Sequence, residues 1–204
     1  MHALQVAVSA FVALLPITNP IGAVAAFAGM TGSQEPAAVR RQATMTGVYV
    51  FVILAVFAVL GTVVLSAFGI TIPALQIAGG LVVAHAGFEM IVPHERLTVA
   101  ERSNVAAKTD VSFSPMALPL ISGPGAIGVI IALAARNPGV ENRAALACAA
   151  AAIGVLVIVV LRYGTPLVDR LGATGVGALT RVMGFLILTI GVELIILGVL
   201  AVRA

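Results

Sequence analysis

Charge is scarce in this sequence: only 9% of its 204 residues are Asp, Glu, Lys or Arg, against about a quarter in an average soluble protein. So thin a supply cannot coat a water-facing surface, which excludes an ordinary soluble domain. Tryptophan is missing and aromatics amount to 5%. No Lys/Arg cluster is interleaved with aromatic side chains, and the net charge of +3 rests on few groups, so nucleic-acid binding has no platform. The single cysteine, Cys148, excludes an internal disulfide and a multi-cysteine metal centre. Its place in AALACAAAAIG assigns it to helix packing among small residues.

What remains is apolar, 61% of the chain, in runs that approach or exceed the roughly 20 residues a helix needs to cross the hydrocarbon core. Runs near 3–28, 44–67, 72–92, 114–135, 143–161 and 178–202 predict an all-α integral membrane protein with six transmembrane helices. The first run has no basic segment before it and is interrupted by Pro16 and Asn19-Pro20, so it reads as a retained span and not as a signal peptide. Basic residues stay cytoplasmic in short loops. Arg40, Arg41, Arg96, Arg102, Lys108, Arg162, Arg170 and Arg181 fall in or near the first, third and fifth loops, and Arg136, Arg143 and Arg203 on the other side. Both termini are therefore expected outside the membrane.

Sliding the chain against itself by 104 residues puts Asn19-Pro20 over Gly123-Pro124, and Ala74, Leu75, Gly80, Gly87, Glu89 and Ile91 over Ala178, Leu179, Gly184, Gly191, Glu193 and Ile195. One register serves both ends of the repeat. Three spans per copy is an odd number, so the second copy enters the membrane from the opposite side. The chain divides into a first repeat over 1–92, a cytoplasmic linker over 93–113 and an inverted second repeat over 114–204. Inverted repeats suit alternating access around a midplane site.

The first and fourth spans carry LLPITNPIGAVAAF and ALPLISGPGAIGVI. Proline removes a backbone donor and pushes its predecessor away from helical angles, so each span is expected to break at Asn19-Pro20 or Gly123-Pro124. Such a break is tolerated at membrane depth only where protein or a polar cavity satisfies the backbone. The half-helix that follows would offer a partially positive N-terminus to a carboxylate. The candidate substrate-binding residues are Thr18, Asn19, Pro20, Gly22, Ser122, Gly123, Pro124 and Gly125. For one such motif a proline kink satisfied by neighbouring helices and a site weigh about equally; two at matching positions favour a site.

Glu89 and Glu193 lie within the third and sixth spans, where an ionised carboxylate costs about 2.5–3.5 kcal/mol on insertion scales. They are the candidates for proton or Na+ coupling, with His85 one turn before Glu89 and Thr189 one turn before Glu193 on shared helix faces. Bonding to helix ends or reaching the interface is the plainer role for both acids. Gly80, Gly87, Gly184, Gly191 and Gly198 recur at seven-residue spacing and predict close helix approach. Gln76 and Thr180 occupy matching positions one turn before Gly80 and Gly184. No cofactor or metal site is expected, since His85 and Glu89 on one helix are too few ligands.

NPIG near the N-terminus, followed by PLISGPGAI about a hundred residues later, resembles the MarC family of prokaryotic six-span membrane proteins along nearly the whole chain. The resemblance implies a broken-helix transporter of small neutral amino acids of the SnatA type, driven by an ion gradient, with Asn19, Pro20, Gly22, Gly123, Pro124 and Gly125 on the motif positions. Secondary transport of a glycine- or alanine-like substrate is thus the expected function, with a homo-oligomer open. A channel or a non-transporting scaffold is the alternative. An intramembrane enzyme using His85 and Glu89 ranks below both.

Overall fold

The computed structural model describes residues 2–32, 34–92 and 110–203. The expected linker over 93–113 falls mostly outside them. Eight helical segments follow in order: α1 His2–Thr18, α2 Pro20–Thr31, α3 Pro36–Ala67, α4 Ile72–Ile91, α5 Ser112–Ile121, α6 Pro124–Arg136, α7 Val140–Tyr163 and α8 Thr165–Arg203. By length and composition α3, α4, α7 and Thr174–Val202 of α8 are each able to cross a membrane. The pairs α1/α2 and α5/α6 pass the same test together, bent by 41° and 62° at their breaks. Bends of that size redirect a span without doubling it back, so the total is six spans.

Helix starts follow proline, whose missing N–H costs nothing in a first turn. Pro20, Pro36 and Pro124 each open a helix. The 104-residue register recurs in these starts: α2 and α6 begin at Pro20 and Pro124, α3 and α7 at Pro36 and Val140. The fourth span departs from expectation upstream of its break. Pro115 and Pro119 push Ser114 and Leu118 to extended angles, so α5 is wound irregularly where α1 is a continuous helix. In α8 a further break falls at Gly172, whose φ of 62° suits a residue without a Cβ.

The glycine stripes make the seam between α4 and α8. A Cβ on Gly80 would lie 2.6 Å from the Gly191 carbonyl oxygen, and one on Gly184 2.8 Å from that of Gly87. These two contacts exchange under the 104-residue register, and their order along the chain makes the pair antiparallel, as inverted copies require. The α3/α7 pair is also antiparallel: Gly47 faces Gly154 and Ile158, while a Cβ on Gly154 would meet Phe51 Cβ at 2.9 Å.

The buried core draws Leu14 from α1, Phe27 from α2, Leu54 from α3, Met116 and Ile121 from α5, Ile130 from α6 and Leu146 and Ile153 from α7. The α4/α8 pair stands beside that core, docked on it mainly through α6 and α2. Outward faces are apolar as well, with Phe68, Leu81, Phe88, Val155, Phe185 and Leu200 exposed. That surface fits lipid, not water. Cys148 belongs to it: the residue is exposed, so the packing role expected from its small neighbours is not the one it has. When lipid is the solvent, small apolar residues line both faces of a span, and composition does not separate inside from outside.

Packing among the described residues runs chiefly between the two halves. In the first half none of the helices leans substantially on another of its own half; α1 packs on α7, α3 on α5 and α6, and α4 on α6 and α8. The halves interleave instead of standing side by side.

Entry into α5 is fixed by polar bonds to α3. The buried Gln42 accepts from the Val111 N–H at 2.9 Å and donates to Gln34. Thr46 Oγ1 donates to the Ser112 carbonyl at 3.2 Å, and Asp110 accepts from the Ser112 N–H and hydroxyl at 2.9 and 2.6 Å. Those bonds from Ser112, with the Arg41 guanidinium as a lesser contribution, hold the Asp110 carboxyl below the usual carboxylate range.

Candidate functional site

The two breaks meet. Ile17, at the end of α1, has its Cγ2 3.6 Å from where a Cβ on Gly125 would stand, and Val83 Cγ2 of α4 lies 2.6 Å from the same point. Val83 is near the middle of α4, so the α6 N-terminus sits near the centre of the bundle. Gly79 and Gly128 face each other nearer the start of α4 and further along α6, which keeps the two helices close.

At the first break the polar side chains are already partnered. Asn19 adopts φ 40° and ψ 60°, the left-handed region that asparagine tolerates better than most residues, and its Oδ1 accepts from the Gly22 N–H at 3.2 Å. A Cβ on Gly22 would collide with that carboxamide, so the cap in this geometry favours glycine there. Thr18 is buried and donates to the Leu14 and Leu15 carbonyls at 3.0 and 3.2 Å, so its hydroxyl serves its own helix. Pro20 is buried at the first helical position. Asn19 Nδ2 also approaches Met90 Sδ at 3.9 Å, tying the first break to the end of α4.

The second break is open. Gly123 is the N-cap of α6 and has no side chain to cap with. The first helical bond is made by the Ile127 N–H to the Gly123 carbonyl, which leaves the N–H groups of Gly125 and Ala126 without a helical or side-chain acceptor. Ser122 is fully buried, and its Oγ has no hydrogen-bond partner. Such a group is costly in a stable interior, about 1–3 kcal/mol, and rare enough to need an explanation. Pro124 is exposed whereas Pro20 is buried.

The sequence similarity agrees with the motif. The profile described as MarC family integral membrane protein matches residues 4–202. The chain belongs to the MarC family. Three proteins, each named UPF0056 inner membrane protein MarC, come from Salmonella typhimurium strain LT2, Escherichia coli strain SMS-3-5 and Citrobacter koseri. They are 38%, 37% and 36% identical to it, over 94% of this chain and 92% of theirs. No solved structure matches it. For this MarC-family chain, then, the membrane setting is shared with relatives named as inner membrane proteins.

The ionisable residues expected to couple transport lie elsewhere. His85, Glu89 and Glu193 are all exposed on the outer face of the α4/α8 pair. His85 Nε2 approaches Glu89 Oε1 at 3.3 Å, one turn apart, as their spacing predicts. Thr189 does not turn to Glu193; its hydroxyl donates back to the Phe185 carbonyl at 2.9 Å, the local bond that threonine finds inside a helix. Glu89 adjoins Met90, which touches Asn19, so of the two acids it is the one linked to a break. Gln76 and Thr180 are buried, and neither shows from sequence alone what it bonds.

Proposed function

We propose that this chain is a secondary transporter of small neutral amino acids of the glycine and alanine type, coupled to a proton or sodium gradient. The observation that carries the reading is the uncapped α6 N-terminus beside an unpartnered, buried Ser122 hydroxyl, where two broken spans meet. An amino-acid carboxylate accepts the hydrogen bonds that Ser122 Oγ and the Gly125 and Ala126 N–H groups have to give, and the helix dipole favours its charge. A small substrate fits this reading best, because Val83 and Ile17 crowd Gly125. The first break, capped by Asn19, contributes shape and a hinge.

Because the halves interleave, alternating access is read as the α4/α8 pair shifting against the α3/α7 pair, with α2 and α6 between them as the connecting arms. Each pair is fastened along its own glycine seam and moves as a unit. Glu89 and His85 are the coupling candidates on the moving pair, with Glu193 at the register-matched place. In this reading both termini lie outside, as the Lys/Arg distribution favours.

The test is thermal stabilisation of purified protein by a panel of small amino acids, followed by proteoliposome uptake under an imposed pH or sodium gradient. Stabilisation by glycine or alanine that is absent with the matching amines, and weakened about tenfold or more by Ser122→Ala, is the expected result. A folded protein that answers to none of the panel removes the substrate assignment.

A further inference from the structure

Gln76 lies in the second turn of α4, buried inside a membrane span, where a carboxamide must find a partner. Its partner is on α6. With the carboxamide turned so that both residues are satisfied, Gln76 Oε1 accepts from Arg136 Nε at 3.1 Å and from Nη2 at 2.9 Å. Arg136 is exposed in the last turn of α6, at the opposite end from the break.

The two donors that Gln76 takes form one edge of the guanidinium fork. The other edge, between Nη1 and Nη2, keeps a pair of parallel N–H groups at the spacing of two oxygens on one carboxylate or phosphate. Among the described residues no carboxylate pairs with Arg136, and a neutral carboxamide orients the charge without cancelling it. A cation in the last turn is favourable in any helix, since it faces the free carbonyl groups. That interaction suits a lysine equally well and leaves the buried glutamine on the fork unexplained. Nor is the arrangement a product of the repeat: the register counterparts of Gln76 and Arg136 are Thr180 and Gly32, which provide no cation.

We infer that Arg136, oriented by Gln76, is a second oxyanion-binding site, separate from the central break, that takes a carboxylate or phosphate end-on. Two sources offer that chemistry, the carboxylate of a free amino acid and the phosphate of an anionic lipid.

The experiment uses the full chain in nanodiscs of phosphatidylcholine. One arm titrates isotope-labelled alanine by NMR line broadening; the other adds phosphatidylglycerol and reads the lipid retained in native mass spectrometry. In one arm, binding is expected to fall at least about tenfold in both Arg136→Lys, which keeps the charge and loses the fork, and Gln76→Leu, which keeps the arginine and loses its orientation. The arm that responds names the source. Ser122→Ala in parallel keeps the central site distinct, since binding that survives it and falls with Arg136→Lys belongs here whatever the protein transports. Arg136→Lys changes only an exposed side chain, so it decides the matter even where Gln76→Leu does not fold. Equal binding by wild type and Arg136→Lys in both arms, or no binding in either, overturns the inference.

Discussion

At Asn19 the chain closes its own break, and at Gly123 it does not. The first interrupted span uses a left-handed asparagine to cap α2, buries Pro20 and spends the Thr18 hydroxyl on its own helix. The second has a glycine at the same place, exposes Pro124 and leaves Ser122 unpartnered. Their upstream arms differ in the opposite sense. α5 is irregular and is tied to α3 by Gln42 and Thr46, whereas the register counterparts of those residues on α7 are Leu146 and Ala150, and α1 packs there as a regular helix by apolar contact. Two copies of one plan have thus been specialised, one break for holding shape and the other for meeting a ligand. The open end belongs to the span whose entry is most firmly tied down.

The largest effect expected from breaking this comparison is at Gly125. Leucine there drives a side chain into the space where Val83 Cγ2 already lies 2.6 Å from the Cβ position. Overpacking of this kind costs about 1–3 kcal/mol, so the protein still assembles with a lowered melting temperature while uptake falls to background. The register counterpart, Ile21, already carries a branched chain, and Ile21→Leu is expected to keep most of the uptake. Uptake and melting of the two variants side by side check this. Equal uptake by both removes the distinction between the breaks.

Much of this plan is legible in the sequence because proline and glycine act through the backbone. Pro20 and Pro124 announce helix starts, Asn19-Pro20 and Gly123-Pro124 announce breaks, and the stripe through Gly80, Gly87, Gly184 and Gly191 announces the seam that the structure builds. Side-chain partnerships are not legible in the same way. Nothing local says that Gln42 serves the Val111 N–H, 69 residues on, or that Gln76 turns to Arg136. The exposure of Glu89 and Glu193 is hidden for a further reason: in lipid both faces of a span are apolar, so periodicity does not tell which face looks outward. The interleaving of the halves is a tertiary choice on which a repeat is silent. The one signal that could have separated the two breaks early is that asparagine caps a helix and glycine, at the matching place, does not.

A smaller effect is expected from Gln42→Leu, which gives α3 the residue its counterpart has at 146. The buried Val111 N–H then loses its acceptor, a cost of about 1–3 kcal/mol. Hydrogen exchange should quicken across 111–121 and stay unchanged in α1. Quickening in both arms would show that the polar ties are not what distinguishes α5.

At Asn19 the expected changes are smaller still and their order is the informative part. Asn19→Ala loses the cap, about 1 kcal/mol, and adds the strain of a left-handed alanine, about 1 kcal/mol more. Asn19→Gly loses the cap and accepts the angle, costing a few tenths of that. Glycine is therefore expected to melt above alanine, and both to retain alanine binding. If either abolishes binding without lowering stability, the first break holds the ligand too.

The smallest effect concerns Asp110, whose bonds from Ser112 and nearby Arg41 lower its pKa in the folded protein. A carboxylate so depressed contributes stability that is present above its unfolded pKa and is lost as pH falls through the folded value. The window is therefore acidic, from about pH 4 downward, and near neutrality the contribution is complete and no longer varies with pH. The side chain is about half exposed and the Arg41 contact is long at 3.8 Å, so the gain is modest. Asp110→Asn is expected to flatten that part of the stability curve, the difference in melting temperature from wild type shrinking as pH falls through the window. Its register counterpart on the other arm, Val6, does not titrate. Acid should consequently loosen α5 before α1, and hydrogen exchange that quickens first in α1 would show that the tie at Asp110 does not carry the difference between the two arms.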